Sequence, residues 1–204
     1  MYGVILRKQS HYEEEITHYQ EALRLNPKFV DAHNNLLFAI SYHVLRNPTE
    51  TLKAHQEWDK QLSVPEKNRY QHTGQGDVNK RLRIGYVSPD FCNHSVSFFF
   101  APILAHHDHD KVGTFCYAEV AQPDEVTARL QSLADHWCFT VGMSDAQVAQ
   151  RIHDDQIDIL IDLAGHTRDN RIVIFTYKPA PIQATYLGYF TGTGLDMMDY
   201  WISD

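Results

Sequence analysis

A lone imidazole at the end of an apolar run is the first feature of this sequence with chemical potential. In GYVSPDFCNHSVSFFF, residues 85–100, the run stops at Ser88-Pro89, His94 follows, and three phenylalanines come after. An imidazole with the ordinary pKa of ~6.5 is mostly neutral at pH 7 and can take the proton of a hydroxyl nucleophile. His166, beside Thr167 in LAGHTRDN, is a second candidate. Gly188 and the run Tyr189-Phe-Thr-Gly-Thr-Gly194 form a third, as flexible backbone. Each has a plainer reading. His94 could simply start a helix, with Asn93 or Ser95 as its cap. His166 could bond backbone in a turn, and TGTG could be a turn and nothing more. The chain contains neither G-x-G-x-x-G nor a Walker motif, so no phosphate-binding fingerprint is present.

Two acidic patterns compete for notice. His106-His107-Asp108-His109-Asp110 offers ligand-type side chains, but they are adjacent rather than helically spaced and follow an apolar stretch. A solvated helix end explains them better than a metal, and no metal site is expected. Asp158 and Asp162 lie on one face of an alternating run and could act as an acid–base pair. The expected burial of the strand's start counts against Asp158.

The elements that must position these residues fall into two halves. Residues 1–62 carry helical periodicity. Tyr12, Ile16, Tyr19 and Leu23 line one face, and Phe29, Ala32, Leu36, Ile40 and Val44 another. Asn47-Pro48-Thr49-Glu50 reads as a helix start before Leu52, His55, Trp58 and Leu62. Residues 63–80 are polar, contain Gly-x-Gly and form the expected linker. Residues 81–204 alternate strands with helices. Strands are expected over 82–87, 112–120, 137–141, 157–163, 181–189 and from 200. Helices are expected over 96–106, 124–136, 144–155, with Ser144 as N-cap, and 170–177. Such alternation builds a parallel sheet covered on both faces. Ligands then sit beyond the carboxyl ends of the strands. His94, His166 and Gly188 each follow a strand, so strand direction alone brings them to one rim.

Composition narrows the class. The formal charge is -8, which argues against nucleic acid or an anionic membrane surface as the main partner. The hydrophobic fraction of 43 % is enough for a buried core. Cys92, Cys116 and Cys138 are odd in number and widely spaced, as for reduced thiols in a cytoplasmic protein. No secretory leader is read at the start, and no apolar run nears the ~20 residues of a membrane span.

Two resemblances emerge from these stretches. THYQEALRLNPKFVDAHNNLLFAI, residues 17–40, resembles a tetratricopeptide-repeat boundary in its Tyr19, Ala22, Leu23 and Pro27 spacing. Together with RLRIGYVSPDFCNHSVSFFFAPILAHHDHDKV, IDILIDLAGHT and KPAPIQATYLGYFTGTGLDMMDYWISD, the chain resembles the tetratricopeptide-linked protein O-GlcNAc transferases. The match is closest to bacterial members and the Spindly-type O-fucosyltransferases. Ser95-Val96-Ser97 and His166 carry that preference.

The resemblance implies an α/β fold: a Rossmann-like parallel-sheet lobe over 81–204, the first half of a GT-B enzyme, preceded by repeat helices over 1–62. The second, nucleotide-binding lobe would lie outside this chain, so the chain alone is expected to be inactive. His94 matches the histidine of the family's D-F-x-x-H motif, which lies by the donor sugar and is a disputed general base. Leu187, Gly188 and Tyr189 match a turn whose backbone approaches the sugar, with His166 and Thr167 as further substrate contacts. The implied reaction is inverting, metal-independent transfer of GlcNAc from UDP-GlcNAc to Ser or Thr of acceptor proteins held by the repeat helices. GDP-fucose is the alternative donor. A repeat-containing interaction module without turnover is the alternative from another class.

Overall fold

The computed structural model describes residues 11–42, 47–72 and 80–203. Val44 and the Gly-x-Gly of the expected linker lie outside the described residues. Among the described residues three helices come first: α1 (Tyr12–Leu25), α2 (Val30–Tyr42) and α3 (Pro48–Leu62). Of the periodic stripes, Ile16 and Tyr19 on α1, Ala32 and Ile40 on α2, and His55 and Trp58 on α3 are buried, whereas Tyr12, Phe29 and Leu52 are exposed; Leu37, outside the stripe, is buried instead. Asn47 caps α3 as its sequence suggests, accepting from the Thr49 N–H at 2.9 Å, with Pro48 in the first turn.

The described part of the linker is fastened down. The Val64 N–H donates to Thr176 Oγ1 at 3.2 Å, and the Tyr70 N–H to the Tyr177 carbonyl at 2.9 Å. Tyr70 also stacks on His153, ring centroids 4.2 Å apart.

From residue 81 the chain alternates as expected. It runs β1 (Leu82–Ser88), α4 (Ser95–Ala105), β2 (Val112–Ala118), α5 (Glu125–Leu133), β3 (His136–Phe139), α6 (Asp145–Asp154), β4 (Ile159–Asp162), α7 (Val173–Thr176), β5 (Ile182–Thr185) and β6 (Tyr200–Trp201). All pairings are parallel, in the order β3-β2-β1-β4-β5-β6. This is the strand order of the doubly wound Rossmann fold, so the lobe has the expected architecture.

The two-residue period of each strand divides its side chains between two cores. Val87, Phe115, Tyr117 and Leu160 face one way, against Val148 and Ile152 of α6 and Ile174 and Phe175 of α7. Tyr86, Cys116, Ala118 and Ile161 face the other, against Val96, Phe100 and Leu104 of α4 and Leu130 of α5. Leu37 and Trp58 belong to the first core, so the helical segment and the lobe share it. No described helix is long and apolar enough to cross a membrane.

Several elements are shorter than the sequence suggests, among them β4, β5 and α7. The fifth strand ends at Thr185 because the chain turns at Tyr186: the Gly188 N–H donates to the Tyr186 carbonyl at 2.9 Å, and Leu187 takes φ 64°. The fourth begins at Ile159: at Asp158 the side-chain carboxylate accepts from the Arg83 N–H at 2.9 Å, while the Asp158 N–H still donates to the Arg83 carbonyl at 2.9 Å. The last helix is four residues, Val173–Thr176. Asn170 opens the turn before it, accepting from the Ile172 N–H.

Candidate functional site

The strand order reverses between β1 and β4, with β2 outside one and β5 outside the other. In doubly wound sheets the ligand crevice opens at this point, beyond the carboxyl ends. The loop after β1 carries His94, the loop after β4 carries His166 and Thr167, and the loop after β5 carries Leu187, Gly188 and Tyr189. Strands β1, β4 and β5 are consecutive neighbours running the same way, so the three loops share one rim, ~10 Å across. Leu187 and Val96 pack into the same apolar cluster, which ties the first loop to the third.

His94 is itself the N-cap of α4, in place of Asn93 or Ser95. Its extended backbone, φ -142° and ψ 153°, lets Nδ1 accept from the Val96 N–H at 3.3 Å. Asp90 Oδ1 lies 3.6 Å from the same nitrogen. The imidazole is nearly half exposed, while the Asp90 side chain is only 18 % exposed. Burial pushes the Asp90 carboxyl above its usual range, opposed by His94 and reinforced by Asp169. Asp90 is fixed by its own backbone: its N–H donates to Ser88 Oγ at 3.0 Å and its carbonyl accepts from Ser97 Oγ at 2.5 Å. Nδ1 therefore faces a donor and a carboxylate. Accepting from Val96 leaves the hydrogen on Nε2; a hydrogen on Nδ1, turned toward Asp90, leaves Nε2 free to take a proton.

Across the switch point Asp162 is 1 % exposed. It accepts from the Ala164 N–H at 3.1 Å, the Gly165 N–H at 2.7 Å and Thr185 Oγ1 at 2.8 Å. Burial pushes its pKa up to about 6 against those bonds. It shapes the turn that carries His166 and is not one of a pair with Asp158, which sits at the opposite end of β4 and pairs with Lys80.

His166 is 1 % exposed. Its Nε2 donates to the Thr193 carbonyl at 2.8 Å, so in the neutral ring Nδ1, 3.2 Å from Asn34 Oδ1, carries no hydrogen; Asn34 Oδ1 accepts from Trp58 Nε1. Burial drives its pKa down to about 3. Thr167 Oγ1 donates to the Ala164 carbonyl at 2.8 Å.

Leu187 is held in the left-handed region, sparsely visited by a bulky side chain and typical of strained functional turns. Gly188 has a packing reason to be glycine: a Cβ there would come within 1.9 Å of the Leu163 carbonyl oxygen. The Tyr189 ring is 3 % exposed and turned toward the helices, where its hydroxyl meets His55 Nε2 at 2.9 Å. Thus His94 reaches the open rim, whereas His166 and Tyr189 support it from behind. An open cavity of about 430 Å³ lies on the helical side of the third loop, lined by Ile40, Leu52, Phe190 and Trp201.

Later in the loop after β4 comes Arg171, its Nε 3.1 Å from Asp145 and its Nη2 donating to the Met143 carbonyl at 2.8 Å. The 106–110 histidines sit at the other edge, between α4 and β2, and their side chains diverge. His106 bonds the Pro102 carbonyl, His107 the Tyr86 hydroxyl and His109 the Asp135 carboxylate. Among the described residues no three ligand-type side chains converge on a metal position. In the sequence Asp90 stood only as the first residue of the D-F-x-x-H motif and His55 only as a member of the α3 stripe. For Asp90 the signal is its four-residue spacing to His94; for His55, paired with a residue 134 positions away, there is none.

Residues 16–204 match the profile of Glycosyl transferase family 41. A rice (Oryza sativa subsp. japonica) protein named probable UDP-N-acetylglucosamine–peptide N-acetylglucosaminyltransferase SPINDLY is 34% identical over 91% of this chain and 20% of its own length. A protein of Arabidopsis thaliana with the same enzyme name, SEC, is 43% identical over 61% of this chain and 13% of its own. A mutant of the Thermobaculum terrenum O-GlcNAc transferase superposes with a TM-score of 0.92 at 32% identity, covering 99% of this chain and 39% of that one. The chain spans a fifth or less of the length of these curated relatives. A profile that covers nearly all of the sequence, over a sheet whose order and rim loops are those described above, leaves one assignment: the chain belongs to glycosyl transferase family 41.

Proposed function

We propose that this chain supplies the amino-terminal half of an inverting protein O-glycosyltransferase. A Ser or Thr hydroxyl of an acceptor protein attacks C1 of a sugar nucleotide. The new C1–O bond forms as the bond to the diphosphate breaks, the nucleoside diphosphate leaves, and the hydroxyl proton passes to His94 Nε2. The observation that carries this reading is the His94 ring on the open rim with Asp90 3.6 Å from Nδ1. Proton transfer to Nε2 needs the tautomer with hydrogen on Nδ1, in which the bond from the Val96 N–H is given up; Asp90, 3.6 Å away, then faces the imidazolium that forms. Such a base contributes roughly 100-fold to 10,000-fold. Holding donor and acceptor together supplies much of the remainder. The backbone of Leu187 and Gly188 borders the sugar, with Tyr189, His166 and Thr167 fixing that border.

UDP-GlcNAc is the proposed donor, in keeping with the names the relatives carry. A second reading, a Spindly-like O-fucosyltransferase using GDP-fucose, is favoured by the wider span of the SPINDLY matches and by Ser95-Val96-Ser97. No metal is required in either reading, the acceptor lies along the repeat-like helices, and the cytoplasm is the proposed location, consistent with three free cysteines.

The test is intact-mass analysis of acceptor proteins incubated with the full product of the gene and either donor. An added N-acetylhexosamine or deoxyhexose names the sugar. No added mass with either donor sinks the transferase reading and leaves the non-catalytic interaction module.

A further inference from the structure

The buried contacts between α3 and the third rim loop form a connected set. His55 is 1 % exposed, and its Nδ1 lies 2.7 Å from the Thr51 carbonyl. A carbonyl only accepts, so Nδ1 carries the hydrogen and Nε2 is left as an acceptor. The Tyr189 hydroxyl, 2.9 Å away, donates to it. Burial pushes the His55 pKa down, which preserves the neutral ring that this pairing needs.

The other end of the loop is gripped by the same residue. A Cβ at Gly194 would lie 2.4 Å from His55 Cβ, so loop backbone rests directly on the helix. Between these points the Thr193 carbonyl accepts from His166, whose ring packs edge-on against His55 at 5.2 Å. Loop 186–194 is therefore held at Tyr189 by the His55 imidazole and at Gly194 by the Cβ and backbone of the same residue. It also contains Leu187 at φ 64°, a conformation that must be imposed by surroundings.

We infer that His55 is a positioning residue: through Tyr189 and Gly194 it sets the shape of the loop bordering the crevice, so the helices help build the donor side of the site as well as leading into it. The kinetic readouts below rest on the transferase reading; the exchange readout does not.

The experiment compares His55→Ala, His55→Gln and Tyr189→Phe in the full product of the gene. Glutamine places its side-chain amide where Nε2 stood and can accept from Tyr189. His55→Ala should raise the KM for the sugar nucleotide about tenfold, the factor that ~1.4 kcal/mol of lost buried hydrogen bonding corresponds to. The KM for the acceptor protein should change less than about twofold, a split that general destabilisation would not produce. His55→Gln should restore most of the loss. Tyr189→Phe should match His55→Ala, and combining the two should add little. Amide hydrogen exchange over 186–194 should speed up in His55→Ala and Tyr189→Phe and recover in His55→Gln.

A folded His55→Ala with unchanged donor KM and unchanged exchange overturns the inference, as do effects that multiply. If His55→Ala does not fold, Tyr189→Phe, which deletes one oxygen, decides. If the wild type transfers neither sugar, the transferase reading fails and exchange alone decides the role of His55.

Discussion

Replacing Gly188 with alanine separates two reasons for a glycine at the rim. If it served only to let a sugar approach, an added methyl would weaken donor binding and leave folding alone. The structure argues otherwise. The new Cβ would sit 1.9 Å from the Leu163 carbonyl oxygen, 2.7 Å from its carbon and 3.0 Å from Ala164 Cα, all backbone at the end of β4. Ordinary contact begins near 3.4 Å, so the loop would have to retreat by about 1.5 Å. That movement pulls on the Gly188–Tyr186 hydrogen bond and on the Leu187 packing. Overpacking a close-fitted interior costs typically ~1–3 kcal/mol, and the rigid backbone puts this site near the upper figure. At ~2–4 °C per kcal/mol for a chain of this size, the midpoint should fall by ~6–12 °C. Gly192→Ala is the matched control: its Cβ meets nothing within 4 Å, and its midpoint should stay within ~2 °C. Thermal unfolding followed by circular dichroism reads both. A Gly188→Ala midpoint within ~2 °C of wild type would refute the packing argument.

Three further outcomes are expected. His94→Ala should lower turnover of the full gene product more than tenfold while it stays folded, and Asp90→Asn should act in the same direction without adding to it; multiplicative losses in a steady-state assay would remove Asp90 from the chemistry. In acid, His166 and Asp162 should pull oppositely. The folded His166 refuses a proton until about pH 3, so the stability it contributes above pH ~6.5 is lost as pH falls between these values. Folded Asp162 binds its proton near pH 6, so its contribution appears below that and is complete below pH ~3.8. Urea titrations from pH 7 to 4.5 should therefore show a shallower acid loss for His166→Gln; a slope identical to wild type would contradict the burial argument. Transfer should proceed unchanged in excess chelator, since the ligand-type side chains of 106–110 point to separate partners; activity abolished by chelator and restored by one divalent metal would overturn that.

The sheet was legible because its strands are short, β-branched and set between helical stretches. Their parallel direction followed from the alternation, and with it the shared rim. What the sequence concealed was side-chain direction in the loops. A histidine is not a preferred N-cap, so nothing in NHSVS marks His94 over its neighbours for that role. Asp162 was read with Asp158 because spacing along a strand is visible, whereas the bonds it makes run to backbone around the next turn. Tyr189 after Gly188 could face ligand or protein with equal local grammar, and its partner lies on a helix far back in the chain. The described stretch 63–72 looked like a tether by composition, yet its polar groups are the ones that bond the lobe.

The shared core of helices and sheet has a practical consequence for anyone dividing the gene. Leu37 and Trp58 cover the same apolar surface as Val87, Phe115 and Tyr117. An expression boundary at residue 80 would strip that cover and present greasy surface to water. The trimmed lobe should be recovered as aggregate or bound to chaperone, while a piece that keeps α2 and α3 should stay dispersed.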